Sequence, residues 1–554
     1  MNQQNKRIQN IFLFRKDEMP ESEHDIALED TDRIQGHAAL VNNVKAAVAL
    51  AGAVRSTLGP LGLDKMLVEE DGTSLVTNDG VTVLETAKVD HPTAQLLISA
   101  SSSQDRAARD GTTTTVLLMA EILQNSIELV RMGVHPSVII NGYRMALEEA
   151  LNELECIAKE SDDPKYEYSI VNTCLAGKLE AETTNVLTAF ALEAANLLSN
   201  EEGGDDLERL RVKRLQVSNG VIRDSKLIHG LVLPKTRLDI ATPSFSDGGK
   251  IAIVDGGFEN KKIDMDSSIE VTSLGLLKEF HERHLDKLQK LVEHLSSLDV
   301  DLLIVRDGVA DEVIKPLSDA GITVYRRLER QDIELLAKMT GANPSRSPLN
   351  IKTTDVGRYS RRAEELIGNV KHTTIEGSEG GGMTFVIKGT TPEVRNEVKR
   401  AFDDALGVAH RLKRDPRMLP GGGGTYAHLA RHLRMFASSQ PGREQLAIEA
   451  YAAALEIIPR VLAENSGLDP INAILSLSAA QNNDKENGAW IGLDARTCTN
   501  SRMDEIGVLD PLFVSIHALS GATETAIGVL RIDDVLWAKQ DAQTPDWQNK
   551  TEED

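Results

Sequence analysis

Hydrophobic residues recur at helical spacing near both ends of the chain and in short β-branched runs in its middle. Near the N-terminus, the alanine- and valine-rich stretch from Gly36 to Leu58 predicts a helix that stops at Gly59-Pro60, because proline cannot continue a helix. A second helix is predicted from a cluster of threonines, through the apolar residues 116–120, to about Met132. A third is predicted at residues 137–159, so this part of the chain is expected to be mostly helical.

The middle of the chain, from about Val217 to Gly341, has a different pattern. Short β-branched runs alternate there with helical patterns, and this alternation is typical of an α/β domain with parallel strands. The predicted strands lie at residues 250–254, 300–305 and 321–325, and the predicted helices lie at residues 276–295 and 332–340.

The chain becomes helical again after a predicted strand at Met383–Lys388. Thr391 can cap the next helix, and Pro392 suits its first position, because the N–H that proline lacks would be unpaired there anyway. The remainder to Leu519 is predicted to be mostly helical, followed by a strand over residues 527–532 and a charged tail. The helix capped by Thr391 has apolar residues spaced to face a core, at Val394, Val398, Ala401, Phe402, Ala405 and Ala409.

Composition narrows the class of protein. The chain has 554 residues and a net charge of −24. Its length predicts roughly three to four domains, and its acidity argues against nucleic acid or an anionic membrane as the main partner, because both attract basic surface. Cys156, Cys174 and Cys498 suggest neither a disulfide framework nor a C-x-x-C zinc pair, so a cytoplasmic location is expected. We also expect neither a membrane-spanning segment nor a signal peptide, since no apolar run has the required length and composition.

The most informative local sequence is Asp110-Gly111 followed by four threonines, directly ahead of the apolar stretch of the second helix. Unpaired N–H groups and the positive end of the dipole favour a phosphate at a helix start, glycine lets the backbone approach closely, and threonine hydroxyls add donors. A carboxylate beside a phosphate requires a cation between them, which makes Asp110 a candidate Mg²⁺ ligand. The alternative is a threonine-rich cap on an ordinary helix.

Two other acidic residues and a glycine cluster stand where chemistry could use them. Asp79 follows a short predicted strand in an Asn-Asp-Gly turn, and Asp404 lies inside the helix capped by Thr391. The alternatives are a plain turn at Asp79 and a solvent-facing carboxylate at Asp404. Residues 421–424 are all glycine, which either forms a flexible connector or brings backbone against a flat or charged ligand. The sequence has no P-loop, kinase or G-x-S-x-G signature.

Six short motifs stand in a fixed order along the chain. They are Thr57-Leu58-Gly59-Pro60, Thr77-Asn78-Asp79-Gly80, Asp110-Gly111-Thr112-Thr113-Thr114, Asp404-Ala405-Leu406, Pro420-Gly421-Gly422-Gly423 and Gly507-Val508-Leu509-Asp510-Pro511. Together they resemble the chaperonins, and the resemblance covers essentially Gly36 to Lys539. The segment Leu530 to Val535 looks like the archaeal thermosome and the eukaryotic cytosolic chaperonin, so the resemblance is to group II-type chaperonins, including a divergent archaeal or group III member.

The resemblance implies the chaperonin fold, a multidomain arrangement of α and α/β units. A mostly helical equatorial domain would bind ATP, a small α/β intermediate domain would act as a hinge, and an α/β apical domain would carry a helical protrusion that serves as a built-in lid. Early and late motifs would then share one nucleotide site, with the middle of the chain as an insertion. The implied boundaries are an N-terminal arm at 1–35, the equatorial domain at 36–154 and 406–554, the intermediate domain at 155–222 and 373–405, and the apical domain at 223–372 with its protrusion near 258–285.

The same resemblance implies an ATP-dependent chaperone, an ATPase that uses ATP and Mg²⁺. Its partners would be unfolded client proteins and copies of itself or paralogous subunits in a double ring. Asp404 would orient or deprotonate the attacking water, Asp79 would assist it or hold the shell of the cation, and Asp110 would bind Mg²⁺. Lys178 falls near a position where relatives sense the γ-phosphate. The residues implied to bind nucleotide are Thr57, Leu58, Gly59, Pro60, Asp79, Gly80, Asp110, Gly111, Thr112, Thr113, Thr114, Lys178, Gly422 and Asp510.

The protrusion would also offer apolar side chains to unfolded clients or to neighbouring lids, since such clients are recognised through exposed apolar surface. The alternative is that these side chains pack in the apical core. The candidates are Ile269, Leu274, Leu276 and Leu277.

The chain departs from the family pattern at Arg109, where the family usually has glycine, and at residues 106–108, where it usually has acidic residues. A guanidinium beside the phosphates would strengthen nucleotide binding or slow product release, or it would project away toward a neighbouring subunit. This departure motivates a second hypothesis, a structural ring subunit that binds nucleotide and hydrolyses it poorly. A third hypothesis is an enzyme that uses ATP on a small molecule, although the middle region shows no cluster of catalytic residue types.

Overall fold

The structure is a computed structural model, and it describes residues 31–538 apart from 69–71, 73, 88, 199–211, 258–288, 379–381 and 485. The expected N-terminal arm lies outside the described residues except for its last five, which form a strand. The expected protrusion near 258–285 also lies outside them, together with Ile269, Leu274, Leu276 and Leu277. Of the helix predicted at 276–295, only the part from residue 289 is described, and it is helical to residue 297.

Helices dominate both ends of the chain. The earlier helices are α1 (Gly36–Val54), α2 (Gly80–Thr86), α3 (Pro92–Ala108), α4 (Thr112–Arg131), α5 (Pro136–Ile157), α6 (Pro164–Cys174) and α7 (Ala181–Leu198). The later ones are α8 (Asp311–Asp319), α9 (Arg330–Thr340), α10 (Pro392–Leu412), α11 (Gly424–Ser439), α12 (Glu444–Leu455), α13 (Ile457–Asn465), α14 (Pro470–Asn483), α15 (Met503–Ile506) and α16 (Leu512–Leu530). The helices predicted from apolar spacing are confirmed to within a few residues at each end, except the one predicted at 276–295, whose start lies outside the described residues.

The strands are short and lie mostly in the middle of the chain. They are β1 (Thr31–Gln35), β2 (Lys65–Val68), β3 (Ser74–Thr77), β4 (Lys159–Glu160), β5 (Val212–Val217), β6 (Lys226–His229), β7 (Leu231–Leu233), β8 (Phe245–Ser246), β9 (Gly249–Val254), β10 (Leu302–Val305), β11 (Thr323–Tyr325), β12 (Gly357–Ile367), β13 (Val370–Gly377), β14 (Met383–Lys388), β15 (Arg417–Pro420), β16 (Ile491–Asp494), β17 (Thr499–Arg502), β18 (Leu509–Pro511) and β19 (Asp534–Ala538).

Several helices begin where the sequence supplies a polar cap followed by proline. Thr391 accepts a hydrogen bond from Val394 N at the start of α10, as predicted. Asp163 caps α6 and Asp469 caps α14 in the same way, each ahead of a proline at the first helical position. The cap satisfies an otherwise unpaired N–H, and proline has no N–H to satisfy.

One apolar core joins the two ends of the chain. Its buried members run from Leu40 to Leu154 and from Leu419 to Leu530, and they bring α1, α4 and α5 against α12 and α16. Tyr143 lies fully buried in this core and donates its hydroxyl to Ile122 O at 3.0 Å. The helical body therefore closes around chain segments that are far apart in sequence, which makes the middle of the chain an insertion.

A mixed seven-stranded sheet forms the main α/β unit of the insertion. Strands β9, β10 and β11 run parallel, with Leu302 opposite both Ile251 and Thr323, as the alternating pattern predicted. The β12–β13 hairpin and β7 continue the sheet in antiparallel pairing. Alternate residues face α9 on one side and α8 on the other, so both faces of the central strands are buried.

A third unit lies between the helical body and this sheet. Strand β14 pairs with β5 in parallel and with β6 in antiparallel register. Helices α6, α7 and α10 share an apolar core with this small sheet. Two of the expected domain boundaries fall at or near strands. Strand β6 of this unit begins just beyond the boundary at 222/223, and β13 of the seven-stranded sheet spans the one at 372/373.

The strand predicted over residues 527–532 is wrong. Most of that segment belongs to α16, which continues to Leu530, and the next strand begins at Asp534. Its β-branched composition suggested a strand, but Ala522, Ala526 and Leu530 are buried at four-residue spacing. That spacing keeps one helical face against the core.

The expectation that no apolar run could span a membrane is also wrong by length and composition. Two helical segments, Gly36–Thr57 and Leu512–Leu530, are long and apolar enough. Burial inside the protein covers 44% of the most apolar window of the first and 61% of the second. Both helices pack against α4, and core helices pass the same length and hydropathy criteria as membrane spans.

Candidate functional site

A cavity of about 350 Å³ lies where the helical body meets the third unit. Every residue that the resemblance implied for nucleotide binding or catalysis lines this one cavity, although these residues come from segments spread over most of the chain. They are Thr57, Leu58, Gly59, Pro60, Asp79, Gly80, Asp110, Gly111, Thr112, Thr113, Thr114, Lys178, Asp404, Gly422 and Asp510.

The threonine cluster forms the first turn of α4. Gly111 is the N-cap with a φ of 77°, and Asp110 accepts a hydrogen bond from Gly111 N at 2.8 Å. A Cβ on Gly111 would lie 2.8 Å from Val514 Cγ1, so no larger residue fits at this cap. Thr115 bonds back to Gly111 O and is buried, whereas Thr113 and Thr114 line the cavity. The N–H groups of this turn are thus available to an anion.

The segment Thr57 to Pro60 forms a second wall. Asn465 holds it from α13, donating Nδ2 to Leu58 O at 2.8 Å. Gly177 packs on the segment so closely that a Cβ there would lie 2.5 Å from Gly59 O. This contact places Lys178, the next residue, at the cavity.

Asp79 is both a helix cap and a cavity residue. Its Oδ2 accepts hydrogen bonds from Thr82 N at 3.1 Å and Thr82 Oγ1 at 2.5 Å, which starts α2. A Cβ on Gly80 would lie 2.5 Å from Thr113 Oγ1, so glycine brings the turn against the threonine cluster. The backbone at Asp79 forms a turn, as the alternative expected, and the same residue also lines the cavity.

Asp404 lies in the middle of α10 and faces the cavity, unlike the solvent-facing alternative. Its Oδ2 accepts a hydrogen bond from Lys178 Nζ at 2.6 Å, and the two side chains are only 13% and 16% exposed. Burial raises the pKa of Asp404 to about 8, against the opposing charge of Lys178. Burial alone would lower the pKa of Lys178, but the surrounding acidic groups, Asp404 foremost, hold it well above its ordinary value. The neighbouring Asp403 instead pairs with Arg214 at 2.7 Å.

The four-glycine segment contributes Gly422 and Gly423 to the lining of the cavity. Gly422 has a φ of 59°, and a Cβ there would lie 2.5 Å from Leu493 O. Asp510 lies beside it on β18, and burial, followed by the charge of Asp110, raises its pKa to about 7. The flexible-connector alternative does not describe this segment, because its glycines are closely packed.

The donor set suits a Mg²⁺ ion that shares its shell with phosphates. Asp110 is partly buried, and burial raises its pKa, while the charge of Lys178, the hydrogen bond from Gly111 N and the nearby Cys174 thiol oppose the rise. Among the described residues, no group of three or more His, Cys, Asp or Glu side chains is arranged to hold a metal alone. Mg²⁺ typically takes one or two carboxylates and completes its shell with water and phosphate oxygens. The Asp110 carboxylate, beside helix N–H groups that can hold phosphate oxygens, therefore fits an ion bound between carboxylate and phosphate.

Several residues of this cavity were not predicted from the sequence, and Cys174 and Asp105 are two of them. Cys174 ends α6 and lines the cavity, where its thiol opposes the rise in the pKa of Asp110, but a single cysteine without a motif gives no signal in sequence. Asp105 lies on α3 one turn before Arg109 and pairs with it, with Arg109 Nη1 3.3 Å from Asp105 Oδ2. Its only sequence signal was its place five residues before Asp110.

Comparison with known proteins places the chain in a family. Residues 50–540 match the model of the TCP-1/cpn60 chaperonin family, and the chain belongs to that family. It is similar to a thermosome subunit alpha of Thermoplasma acidophilum, with 37% identity over 514 residues, 92% of this chain and 94% of the relative.

Two further thermosome subunits are similar to this chain over most of their length. A thermosome subunit of Methanocaldococcus jannaschii is 37% identical over 516 residues, which cover 92% of this chain and 94% of the relative. Thermosome subunit 1 of Haloferax volcanii is 37% identical over 514 residues, which cover 92% of this chain and 90% of the relative. The expected resemblance and the chaperonin fold class are confirmed.

Proposed function

We propose that this chain is a subunit of an ATP-dependent chaperone, an ATPase that encloses unfolded proteins in a double-ring cavity. The observation that carries the proposal is the single cavity that collects helix N–H groups, close-packed glycines and buried carboxylates from distant parts of a chaperonin-family chain. The similar proteins named thermosome subunits support the same function.

We assign the helical body to an equatorial domain, the β5–β14–β6 unit with α6, α7 and α10 to an intermediate hinge domain, and the seven-stranded sheet to an apical domain. The separate apolar cores of these units support the division. This assignment moves the end of the intermediate domain from residue 405 to Leu412, where α10 ends, and the pairing of β6 with β14 favours a later start of the apical domain. The pairing of β13 with β12 favours a later end.

ATP would lie with its phosphates between two backbone segments. The N–H groups at Thr112 to Thr114 and the segment Thr57 to Pro60 would hold the phosphate oxygens. Gly80 would keep the turn after β3 close to the threonine cluster. Gly422 and Asp510, which line the same cavity, would contact the base and ribose. Asp110 would bind Mg²⁺, which neutralises phosphate charge during phosphoryl transfer.

Asp404 would act as the base for the attacking water. It accepts a water proton while the water oxygen bonds to the γ-phosphorus and the bridging oxygen leaves with ADP. Asp79 lies near enough for its charge to influence Asp404, and it would orient the same water or the shell of the cation. Lys178 would neutralise charge on this side of the cavity.

The placement of Asp404 would make hydrolysis conditional on closure. Its helix α10 packs with α7 and belongs to the core of the third unit, whereas the threonine cluster belongs to the helical body. A hinge motion between the two would assemble or separate the catalytic groups, which links hydrolysis to the state of the cavity. The protrusion would then serve as the built-in lid.

Exposed apolar side chains support assembly into a ring. The β2–β3 hairpin and the turn before it expose Leu63 (69%), Met66 (69%) and Val68 (70%). A two-stranded ribbon with an exposed edge and apolar face is marginal alone and is stabilised when another chain covers it. We therefore propose that copies of this chain or paralogous subunits cover the hairpin. The three free cysteines support a cytoplasmic location.

A second candidate function is a structural ring subunit that binds nucleotide and hydrolyses it poorly. The observation that favours it is Arg109, which lines the cavity beside the threonine cluster. Retention of Asp79, Asp110 and Asp404 in one cavity favours the ATPase instead.

The test is ATP hydrolysis and client refolding by size-fractionated protein. The proposal predicts that a large assembly hydrolyses ATP only with Mg²⁺ and releases a chemically denatured client in folded form when ATP is added. A large assembly without hydrolysis would support the structural subunit. A small species that transfers phosphate to a metabolite would contradict both.

A further inference from the structure

Arg109 has a backbone conformation that side chains rarely adopt. It ends α3 with a φ of 56° and a ψ of 12°, and its N–H donates to Asp105 O at 2.8 Å. The left-handed region crowds a Cβ against the backbone, so a residue other than glycine persists there only when its surroundings hold it.

The stem of Arg109 packs directly on a glycine of α10. A Cβ on Gly407 would lie 2.4 Å from Arg109 Cγ, 2.9 Å from Arg109 Cβ and 3.5 Å from Arg109 Cδ. Gly407 follows Asp404 by three residues, which places the two positions on the same side of the helix, about one turn apart. Because Gly407 has no side chain, the stem of Arg109 can occupy the space beside it.

The head of Arg109 is held at the cavity. Its Nη1 lies 3.3 Å from Asp105 Oδ2, and its Nε is buried without a hydrogen-bond partner among the described residues. Asp105 is also one of the charges that influence Asp404. Arg109 thus touches α10 with its stem while its head stays beside the acidic groups of the site.

We propose that Arg109 and Gly407 form a matched pair that positions Asp404. The stem of Arg109 sets how closely α10 approaches the segment that begins at Asp110. This inference rests on the proposed ATPase function, in which Asp404 must reach the water beside the γ-phosphate. Arg109 is a positioning residue, because it acts through the placement of α10.

The test is a double-mutant cycle of Arg109→Gly and Gly407→Ala in the full-length ring. Gly407→Ala alone is expected to lower kcat about 10- to 100-fold with KM for ATP within about twofold, because misplacing a catalytic group by about 1 Å costs up to that much. Arg109→Gly alone is expected to lower kcat several-fold by releasing α10. In the Arg109→Gly background, Gly407→Ala is expected to change kcat by less than about twofold, since the stem that collides with the new methyl group is gone.

Two controls separate the possible failures. Gly521→Ala changes a helical glycine with nothing within 4 Å of its Cβ position, and it is expected to leave kcat unchanged. Melting temperatures of the four proteins of the cycle report the contact itself. Gly407→Ala should lower the melting temperature when position 109 is arginine and should not lower it when position 109 is glycine. Equal effects of Gly407→Ala on kcat in both backgrounds would overturn the positioning role in an active ring. A wild-type ring without hydrolysis would overturn the proposed ATPase and the positioning role together, even if the melting cycle showed the contact.

Discussion

Replacing Lys178 with methionine removes the positive charge that faces Asp404 and preserves most of the side-chain length. Lys178 Nζ lies 2.6 Å from Asp404 Oδ2, and both side chains are mostly buried. Burial raises the pKa of Asp404 to about 8, and Lys178 is the largest influence that opposes this rise. Lys178→Met should therefore raise the pKa of Asp404 further and move the acidic limb of the ATPase profile to higher pH.

The size of the effect follows from the short distance. An opposite charge within about 4–6 Å typically lowers a carboxyl pKa by about 1–3 units. Removing the charge should move the limb upward by a similar amount. On that limb, each unit of pKa changes the deprotonated fraction of Asp404 about tenfold. The kcat near neutral pH should therefore fall about 10- to 1000-fold.

The higher pKa of Asp404 in Lys178→Met should also change how the stability of the folded protein depends on pH. The pKa of Asp404 is raised above its ordinary value of 3.8, so its contribution to stability is fully present below that value and is lost as the pH rises through about 8. In Lys178→Met the loss should continue to higher pH, because the folded-state pKa is higher still. The variant should therefore be most destabilised, relative to wild type, at alkaline pH.

The assay is kcat against pH with ring size checked at each point, and the chain offers a matched control. Lys213 lies 2.5 Å from Asp332, with side chains 16% and 9% exposed, and this pair lies outside the cavity lining. Lys213→Met should lower the melting temperature without moving the pH limb. A limb that stays in place or moves to lower pH in Lys178→Met would refute the reasoning, as would an equal shift in Lys213→Met.

Three further predictions concern other parts of the molecule. Burial lowers the pKa of His428 below its ordinary value of 6.5, so the folded state should lose stability as the pH falls through that value, and the melting temperature of His428→Gln should fall less on acidification than that of wild type. Met66→Asp should yield smaller assemblies by size-exclusion chromatography, whereas Leu366→Asp, a comparably exposed site on β12, should not; intact rings in Met66→Asp would argue against the hairpin as an interface. Cys174→Ala removes the thiol that opposes the rise in the pKa of Asp110. It should raise the Mg²⁺ concentration for half-maximal turnover several-fold, with Cys174→Ser restoring it; an unchanged Mg²⁺ requirement in Cys174→Ala would exclude this role.

Sequence patterns predicted the regular elements well where one physical signal dominated. The capped start of α10 at Thr391 and the strand at Met383–Lys388 depend on local chemistry and were found in place. The parallel strands around Ile251 follow from continuous apolar runs that need burial on both faces. The segment after Ile527 failed, because β-branched residues at helical spacing satisfy both patterns and the surrounding core decides between them.

The residues of the candidate site could not be brought together from local sequence patterns alone. Asp79, Asp110 and Asp404 each had an ordinary alternative when taken alone, and only the resemblance brought them together. No local pattern could show that Gly407 receives the stem of Arg109, because that contact joins residues about 300 positions apart. The role of Cys174 was hidden for the same reason: a thiol acquires its meaning from the buried carboxylate beside it.

Asp404 is the residue on which the proposed ATPase mechanism most depends. The decisive measurement is steady-state ATP hydrolysis by purified large assemblies of wild type, Asp404→Asn and Asp403→Asn. The two variants make the same chemical change at adjacent positions, one facing the cavity and the other paired with Arg214. We predict that Asp404→Asn lowers kcat by about 10²- to 10⁴-fold with assembly and nucleotide affinity retained, whereas Asp403→Asn stays within a few-fold of wild type. Equal turnover by all three proteins, or a loss confined to Asp403→Asn, would contradict the account.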